Sequence, residues 1–340
     1  MNLEGRRTSR NVEDRRGQGA GGSGLGGGLG NIFGSSGGQA SGGGGGGLLA
    51  LLLQLLFANK GGNSGGKKGG CGCLGIAIAL VIVYFVISGG GGSILGGLFD
   101  GMDTGGMSPS DGQQTEYVAS AQEQELFDFA SKILAGTEDV WSSEFQKIGK
   151  TYKAPKLVIF TDAVRSGCGN ASSSTGPFYC SADQTVYLDL SFFMSMKKQI
   201  GADGDFAYAY VIAHEVGHHV QYLLGTLDQA HKMMAQYGQG SKESNQISVR
   251  LELQADFYAG VWAYHDNKMF HSIEEGDIDE GLNAAQKIGD DYLQKKARGY
   301  SVPESFNHGT SAQRSSWLRK GVRTGDITQG DTFSVSYNSL

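Results

Sequence analysis

Two hydrophobic periods divide the second half of the chain into predicted helices and strands. Apolar residues recur every three or four positions in six segments, which is the spacing of amphipathic helices: residues 122–134, 140–148, 205–224, 243–266, 277–298 and 311–320. Short apolar or alternating runs at 156–160 and 185–190 are typical of strands, and 178–180 can pair with the latter through a turn at 181–184. The pattern predicts an α+β fold, mostly helical with a small antiparallel sheet.

The first 110 residues follow neither period. They contain 36 of the 57 glycines of the chain, so most of this stretch cannot bury enough apolar surface to offset its conformational entropy. We therefore predict that it is disordered outside two apolar runs. The remaining 230 or so residues are enough for one domain with a sizeable core.

The longer apolar run predicts a membrane anchor. Cys71–Ser88 is an 18-residue stretch without a charge, within the range that spans a bilayer as a helix. The shorter run, Leu48–Ala58, has only 11 residues and is too short to cross. Basic residues precede the longer run (Lys67, Lys68) and acidic residues follow it (Asp100, Asp103), so the positive-inside rule places the N-terminus in the cytoplasm.

These features predict five regions and a location. The regions are a disordered, glycine-rich, basic cytoplasmic segment (1–70), a transmembrane helix (71–92), a linker (93–115), a folded domain (116–325) and a C-terminal tail (326–340). The protein is then a single-pass protein of the inner membrane, with its folded domain in the periplasm. Residues 1–70 carry eight basic and three acidic residues, a net of +5, which leaves −6 − 5 = −11 for the rest. The negative charge of this second part argues against nucleic acid as a partner.

Cysteine usage agrees with this location. Cys168 and Cys180 are the two cysteines of the predicted domain, twelve positions apart. Outside the cytoplasm such a pair is expected to oxidise to a disulfide. The alternative is a pair of buried free thiols.

The segment YVIAHEVGHHVQ, residues 210–221, carries the chemistry. His214 and His218 are four apart, so on a helix both imidazoles project from one face and can share a tetrahedral Zn²⁺. Zinc lowers the pKa of bound water to about 7, and Glu215 can act on that water as general base. The alternative is a helix that holds two histidines by chance. The apolar neighbours argue against it, because buried histidines need partners.

A third protein ligand is then required. Gln221 and Leu224 exclude an extended pattern in which a third histidine follows on the same segment. Glu252 and Asp256 lie on one face of the next long predicted helix. We assign Glu252 to the metal, and Asp256 to the free ring nitrogen of a zinc-binding histidine. The alternative for this pair is a solvated surface. Asp228 is a weaker ligand candidate, and four further histidines are predicted to be structural or surface residues: His219, His231, His265 and His271.

Four blocks together resemble the bacterial family of neutral zinc metallopeptidases: HEVGHHVQ, RLELQADFYAGVWA, AAQKIGDDYLQ and PESFNHGTSAQRSSWLRKG. The resemblance covers Glu116 to Gly325, and the spacing from Glu252 to Asp256 is also similar to gluzincins of the CaaX prenyl protease type. It implies a zincin-like fold, zinc as cofactor, one membrane span and peptidase activity. Phe257 departs from the expected small residue or cysteine.

The resemblance also draws attention to His308 and Arg314. His308 is the candidate that stabilises the oxyanion opposite the metal, and Arg314 is a candidate clamp on Asp256 or on a helix C-terminus. The alternative for both is a packing and capping segment. The strand 185–190, if it is the edge of the sheet, could bind an extended peptide.

Three functions fit these residues. The first is a membrane-anchored zinc endopeptidase acting on protein or peptide substrates. The second is a catalytically inactive zinc-fold module for tethered binding or assembly. The third is a metal-dependent hydrolase of non-peptide amides. Three protein ligands with a glutamate beside the first histidine favour catalysis, because structural zinc sites usually have four ligands.

Overall fold

The computed structural model describes residues 1–18 and 117–340. The strands within these ranges are β1 (Val12–Arg15), β2 (Lys156–Phe160), β3 (Ala163–Ser166), β4 (Gly169–Ser172), β5 (Phe178–Cys180) and β6 (Thr185–Asp189). The helices are α1 (Ala121–Lys147), α2 (Ser191–Ile200), α3 (Asp205–Leu224), α4 (Thr226–Tyr237), α5 (Lys242–Phe270), α6 (Asp277–Lys287), α7 (Asp290–Arg298) and α8 (Ser311–Thr324). The fold is α+β and mostly helical, as predicted.

The sheet is mixed, so the prediction of an antiparallel sheet was wrong. Its order is β1-β2-β6-β5, in which β1 pairs with β2 and β2 with β6 in parallel, and β5 pairs with β6 antiparallel. The β3–β4 hairpin separates β2 from the β5–β6 pair along the chain. After this excursion the chain re-enters the sheet at β5, in the direction opposite to β2, and the turn into β6 then restores the direction of β2. Every residue of β6 is buried, as expected for an inner strand.

The helices pack around α5, which is buried along most of its length. The contact between α5 and α8 brings two backbones together at Gly321, where an added Cβ would lie only 2.1 Å from the carbonyl oxygen of Phe257. Glycine is required here because no side chain fits between the two helices. The aromatic side chains of Trp141, Phe206 and Trp262 fill the core on the other sides of α3 and α5.

Several helix boundaries differ from the predicted ones. The two segments 122–134 and 140–148 form one helix, α1, and the predicted helix 277–298 is divided into α6 and α7 at Gly289. An added Cβ at Gly289 would lie 2.3 Å from the Ser311 backbone nitrogen, so the break lets the start of α8 approach closely. Helices α2 and α4 were missed, although their apolar residues recur at helical spacing, at Phe193, Met196 and Ile200 in α2 and at Leu227, Ala230 and Met234 in α4.

The first eighteen residues are ordered, so the prediction of disorder was wrong for them. We call Met1–Gln18 the N-terminal arm. Within it β1 forms the outer strand next to β2, in the register Val12↔Leu157 to Arg15↔Phe160. The ion pairs that hold the arm join it to residues more than 120 positions away, which local composition does not reveal.

Other predicted regions lie partly or wholly outside the described residues. The predicted transmembrane helix and linker are among them. No helix of residues 1–18 or 117–340 is long and apolar enough to cross a membrane. Residues 326–340, predicted as a tail, pack on α5: the Gln254 side chain donates to Gly330 O (2.8 Å) and Arg250 to Val335 O (2.9 Å). The Cys168–Cys180 disulfide is present and ties the β3–β4 hairpin to β5.

Candidate metal centre

Two helices bring three potential metal ligands to one point. His214 and His218 lie one turn apart on α3, and Glu252 lies on α5, which packs against α3. His214 Nε2 is 3.2 Å from Glu252 Oε2, and His218 Nε2 is 3.5 Å from Glu252 Oε1. A tetrahedron with metal–ligand bonds of about 2.05 Å has edges of about 3.3 Å. Each histidine nitrogen is at about this distance from one oxygen of the Glu252 carboxylate, and one ligand atom from each of the three residues lies within 4.8 Å of the others, so the group could hold a zinc ion.

Close packing of α3 on α5 makes this convergence possible. Gly217, between the two histidines, faces Ala255 of α5, and an added Cβ would lie 3.0 Å from the Ala255 carbonyl oxygen. The sequence provides this small residue on the face of α3 that approaches α5. A larger side chain would push the histidines away from Glu252.

The other ring nitrogen of each histidine is already bonded. His214 Nδ1 is 2.8 Å from Asp256 Oδ1, and His218 Nδ1 is 2.9 Å from Gln221 Oε1. Both acceptors favour a hydrogen on Nδ1, which leaves the Nε2 lone pairs free to bind a metal. The structure thus brings Asp256 to the position that the sequence analysis assigned to it. The role of Gln221 was missed, although its spacing of three from His218 on a helix was a usable signal.

A buried ion pair supports Asp256 from behind. Arg314 on α8 donates from Nε to Asp256 Oδ2 and from Nη2 to Asp256 Oδ1, both at 2.9 Å. The Tyr210 hydroxyl also donates to Asp256 Oδ1, at 2.6 Å. Burial acts to raise the pKa of Asp256, but Arg314 and His214 outweigh it and the pKa is lowered. Asp256 is therefore a charged carboxylate that holds the His214 ring in one orientation.

The electrostatics of the centre favour a cation. Burial acts to lower the pKa of His214, but Asp256 and Glu252 outweigh it and raise the pKa to about 10. Burial likewise acts to raise the pKa of Glu252, and the neighbouring His308 and His218 bring the pKa well below its usual range. Two carboxylates thus create a negative potential at the point where the ring nitrogens meet, which a divalent cation would satisfy.

Glu215 follows the first histidine and lines the same cavity as the three ligands. It is buried, and burial raises the pKa of its carboxyl group. The group does not belong to the set of ligand atoms that lie within 4.8 Å of one another. Its position and its pKa suit a proton acceptor better than a metal ligand.

His308 is brought to the same cavity by the loop before α8. Its Nδ1 lies 3.2 Å from Asp290 Oδ1. The second oxygen of Asp290 accepts the backbone N–H groups of Asn307 (2.8 Å), His308 (2.7 Å) and Gly309 (3.1 Å). Asp290, at the start of α7, therefore shapes the loop and orients the ring. Sequence reasoning missed Asp290, and no local pattern indicates that it reaches residues 17–19 positions away.

The remaining candidates lie elsewhere. Asp228 is in α4 and is not part of the ligand group. His219 is fully buried between the Tyr179 hydroxyl (2.9 Å) and Lys153 O (2.6 Å), and burial lowers its pKa to about 4. His265, predicted at the surface, is buried with its Nε2 2.7 Å from Gly325 O. His231 is half-buried and His271 is exposed.

Comparison of the sequence with known proteins shows which family it matches. Residues 1–333 match a family model described as "Putative neutral zinc metallopeptidase". The uncharacterized protein YpfJ of Escherichia coli strain K12 is 49% identical over 257 residues, which is 76% of this chain and 86% of YpfJ. The uncharacterized protein Rv2575 of Mycobacterium tuberculosis H37Rv is 43% identical over 195 residues, 54% of this chain and 64% of that protein. No solved structure matches.

Proposed function

The chain belongs to the family of neutral zinc metallopeptidases, and from this premise we propose that it is a zinc-dependent endopeptidase. The observation that carries the proposal is the convergence of His214, His218 and Glu252, whose ligand atoms lie within 4.8 Å of one another, with Glu215 in the same open cavity. Three protein ligands leave one coordination position for the reaction, which is typical of catalytic zinc.

Each residue has a separate task in peptide hydrolysis. His214, His218 and Glu252 would hold the metal. A zinc ion there supplies Lewis acidity and lowers the pKa of water to about 7. Glu215 accepts the proton of the attacking water and delivers it to the leaving amine. Its raised pKa suits both steps, because a general base works best with a pKa near the working pH.

His308 is the proposed donor to the developing oxyanion. Burial acts to lower its pKa, but Asp290 and Glu252 outweigh it and the pKa is raised. The protonated ring can donate from Nδ1 to Asp290 and from Nε2 into the cavity. A donor held in place in this way stabilises the tetrahedral intermediate without reorganising.

The sheet offers a place for the substrate backbone, although not where the sequence suggested. Strand β6 has partners on both sides, so it is not an edge. The edge strand on this side is β5, whose Phe178 and Tyr179 line the cavity of the metal centre. An extended peptide that added to β5 would run past Glu215 and the metal ligands.

The test compares zinc content and casein hydrolysis in the full chain and in Glu215→Gln. We expect equal zinc content and a loss of at least 10²–10⁴-fold in turnover, the usual contribution of a general base. Glu243→Gln, at an exposed position in α5, is the matched control and should hydrolyse casein like the wild type. Equal hydrolysis in Glu215→Gln would remove the proposal. Zinc binding without hydrolysis in any form would favour the inactive binding module.

A further inference from the structure

The cavity that contains the metal-centre groups has an apolar part. The whole cavity has a volume of about 120 Å³, and its apolar part is bounded by β5, α2, α3, the α6–α7 connection and α7. Its apolar wall comes from all of these elements and includes Phe178, Phe192, Met196, Ile200, Val211 and Leu293. Val211 lies one helical turn before His214, so this wall begins next to a metal ligand.

The volume fits one side chain. An apolar protein cavity of about 150 Å³ holds a benzene molecule, so this smaller but open cavity of about 120 Å³ has room for one side chain of about that size, such as that of Leu, Met or Phe. Apart from the metal-centre groups, the polar side chains of its lining are Ser195, Tyr179, Tyr210 and Gln199. None of these four is charged, and Asp290 and Arg314, which also line the cavity, are already bonded to the loop at 307–309 and to Asp256. Away from the metal-centre groups, a substrate carboxylate or ammonium group would therefore be desolvated without an ionic partner.

We propose that this cavity binds one bulky apolar side chain of the substrate, and that the peptide bond next to that residue is the one cleaved. The proposal rests on the proposed peptidase activity. Burial of a large apolar side chain in a fitted cavity favours it over alanine by about 10- to 100-fold in kcat/KM. Substrates with Leu, Met or Phe at this position should therefore be hydrolysed fastest, alanine more slowly, and aspartate or lysine slowest.

The experiment uses the zinc-loaded full chain and a set of quenched fluorescent peptides that differ at one position, which holds Phe, Leu, Ala, Asp or Lys. The readout is the ratio of kcat/KM for Phe to that for Ala. Val211→Phe fills the cavity and should lower this ratio at least tenfold. Met194→Ala is the matched control, because Met194 is exposed on α2 and does not line the cavity; it should keep the wild-type ratio. Ser195→Phe serves if Val211→Phe does not fold.

The outcomes separate the two proposals. If no peptide is hydrolysed in a Glu215-dependent way, the peptidase proposal fails. If hydrolysis occurs with equal kcat/KM for Phe, Ala and Asp peptides, only the cavity proposal fails. A ratio that is unchanged in a folded, zinc-loaded Val211→Phe protein would also overturn it.

The N-terminal arm supports a second, independent inference. The Arg6 guanidinium makes two hydrogen bonds to the Asp266 carboxylate, at 3.1 and 2.8 Å, and lies 3.7 Å from the centroid of the Phe270 ring. The Asp266 side chain is 1% exposed and that of Arg6 10%. The arm is thus fixed to α5 by a buried charged pair as well as to β2 by a strand ladder.

Further contacts fix the arm to α1. Arg16 donates to Glu123 O at 3.1 Å and lies 4.7 Å from the centroid of the Phe127 ring. At Gly136 an added Cβ would lie 2.7 Å from Arg6 Nη2, so the absence of a side chain there leaves room for the arm. The arm and the domain are one folded unit within the described residues.

This packing restricts how the chain meets a membrane. The apolar run at residues 71–88, which lies outside the described residues, separates the arm from the domain along the chain. A single crossing there would put the arm and β2 on opposite sides of the bilayer, where they could not pair. We infer that residues 1–18 and 117–340 lie on the same side of any membrane that the chain attaches to. This is incompatible with the single-pass topology expected from the sequence. The disulfide favours the extracytoplasmic side.

The test labels single cysteines in the full chain, with Cys71 and Cys73 replaced by serine. Thr8→Cys reports on the arm and Lys242→Cys on the domain, since both positions are exposed. Spheroplasts are treated with a membrane-impermeant maleimide before and after permeabilisation. Labelling of both sites in intact spheroplasts, or of both only after permeabilisation, supports the inference. Labelling of one site in intact spheroplasts and of the other only after permeabilisation would overturn it.

Discussion

Replacing Asp256 with asparagine should weaken both the fold and zinc binding, for two separable reasons. The carboxylate is fully buried, balances the charge of Arg314 and accepts the hydrogen of His214 Nδ1. A neutral amide at this position would leave buried Arg314 with only Glu252, 3.9 Å away, as a charged partner. It would also replace an ionised acceptor of the histidine with a weaker, neutral one.

The magnitudes follow from these two losses. Breaking a buried ion pair by removing one partner costs about 3–5 kcal/mol of unfolding free energy. Loss of the group that orients a metal-binding histidine lowers metal affinity about 10- to 100-fold. At a fixed free zinc concentration the second loss adds about 1.4–2.7 kcal/mol to the destabilisation of the zinc-bound form.

Arg314→Met separates the two effects. It leaves the Asp256 carboxylate bonded to Tyr210 and His214, so we expect a loss of stability with less than a tenfold change in zinc affinity. The double variant Asp256→Asn/Arg314→Met removes both charges and should recover part of the stability lost in Asp256→Asn.

The unfolding free energy is measured by urea unfolding with and without zinc. The zinc affinity is measured by competition with a chelator of known affinity. Glu243→Gln, at the exposed start of α5, is the control and should change neither. The reasoning is refuted if Asp256→Asn unfolds within about 1 kcal/mol of the wild type and binds zinc equally well. An equal loss of zinc affinity in Arg314→Met and Asp256→Asn would refute the orientation argument alone.

Three further outcomes test other parts of the structure. Removal of zinc by a chelator should abolish hydrolysis, and added zinc should restore it without refolding; near-ultraviolet circular dichroism checks that the tertiary structure persists. His308→Gln should keep its zinc and lose about 10²–10³-fold in kcat, whereas His271→Gln, at an exposed position, should match the wild type. Gly321→Ala should lower the melting temperature by several degrees, because its methyl group would lie 2.1 Å from Phe257 O and such overpacking costs about 1–3 kcal/mol or more. An unchanged melting temperature would contradict the close contact of α5 and α8.

The sequence predicted local features better than those that depend on distant partners. The predicted bounds of α3 agree with the structure because glycines stand at both ends of a strong helical period. Helix spacing likewise places His214 and His218 on one face. The division of α6 from α7 could not be predicted from the local sequence, because the helical period continues across Gly289. The break depends on Ser311 of α8, which approaches Gly289 closely.

The predictions of an antiparallel sheet and of a disordered N-terminal arm were wrong for the same reason. Composition averaged over the first 70 residues hid a short segment whose charges are paired partly within the arm and partly with the domain. Arg6 is paired with Asp266, 260 positions away, and only the folded chain brings them together. In the candidate centre, Asp290 acts through the backbone of the loop at 307–309, which spacing alone cannot indicate.

Helix α5 contributes one ligand to the centre and supports the other two. It carries Glu252, it supports His214 through Asp256, and its Leu251 carbonyl accepts the amide of Gln221, which in turn supports His218. Both histidine ligands are therefore oriented by protein contacts. Unlike a zinc finger, which needs its ion to fold, this chain can complete its fold and become active later, so we expect its activity in the cell to follow the supply of zinc rather than the rate of its synthesis.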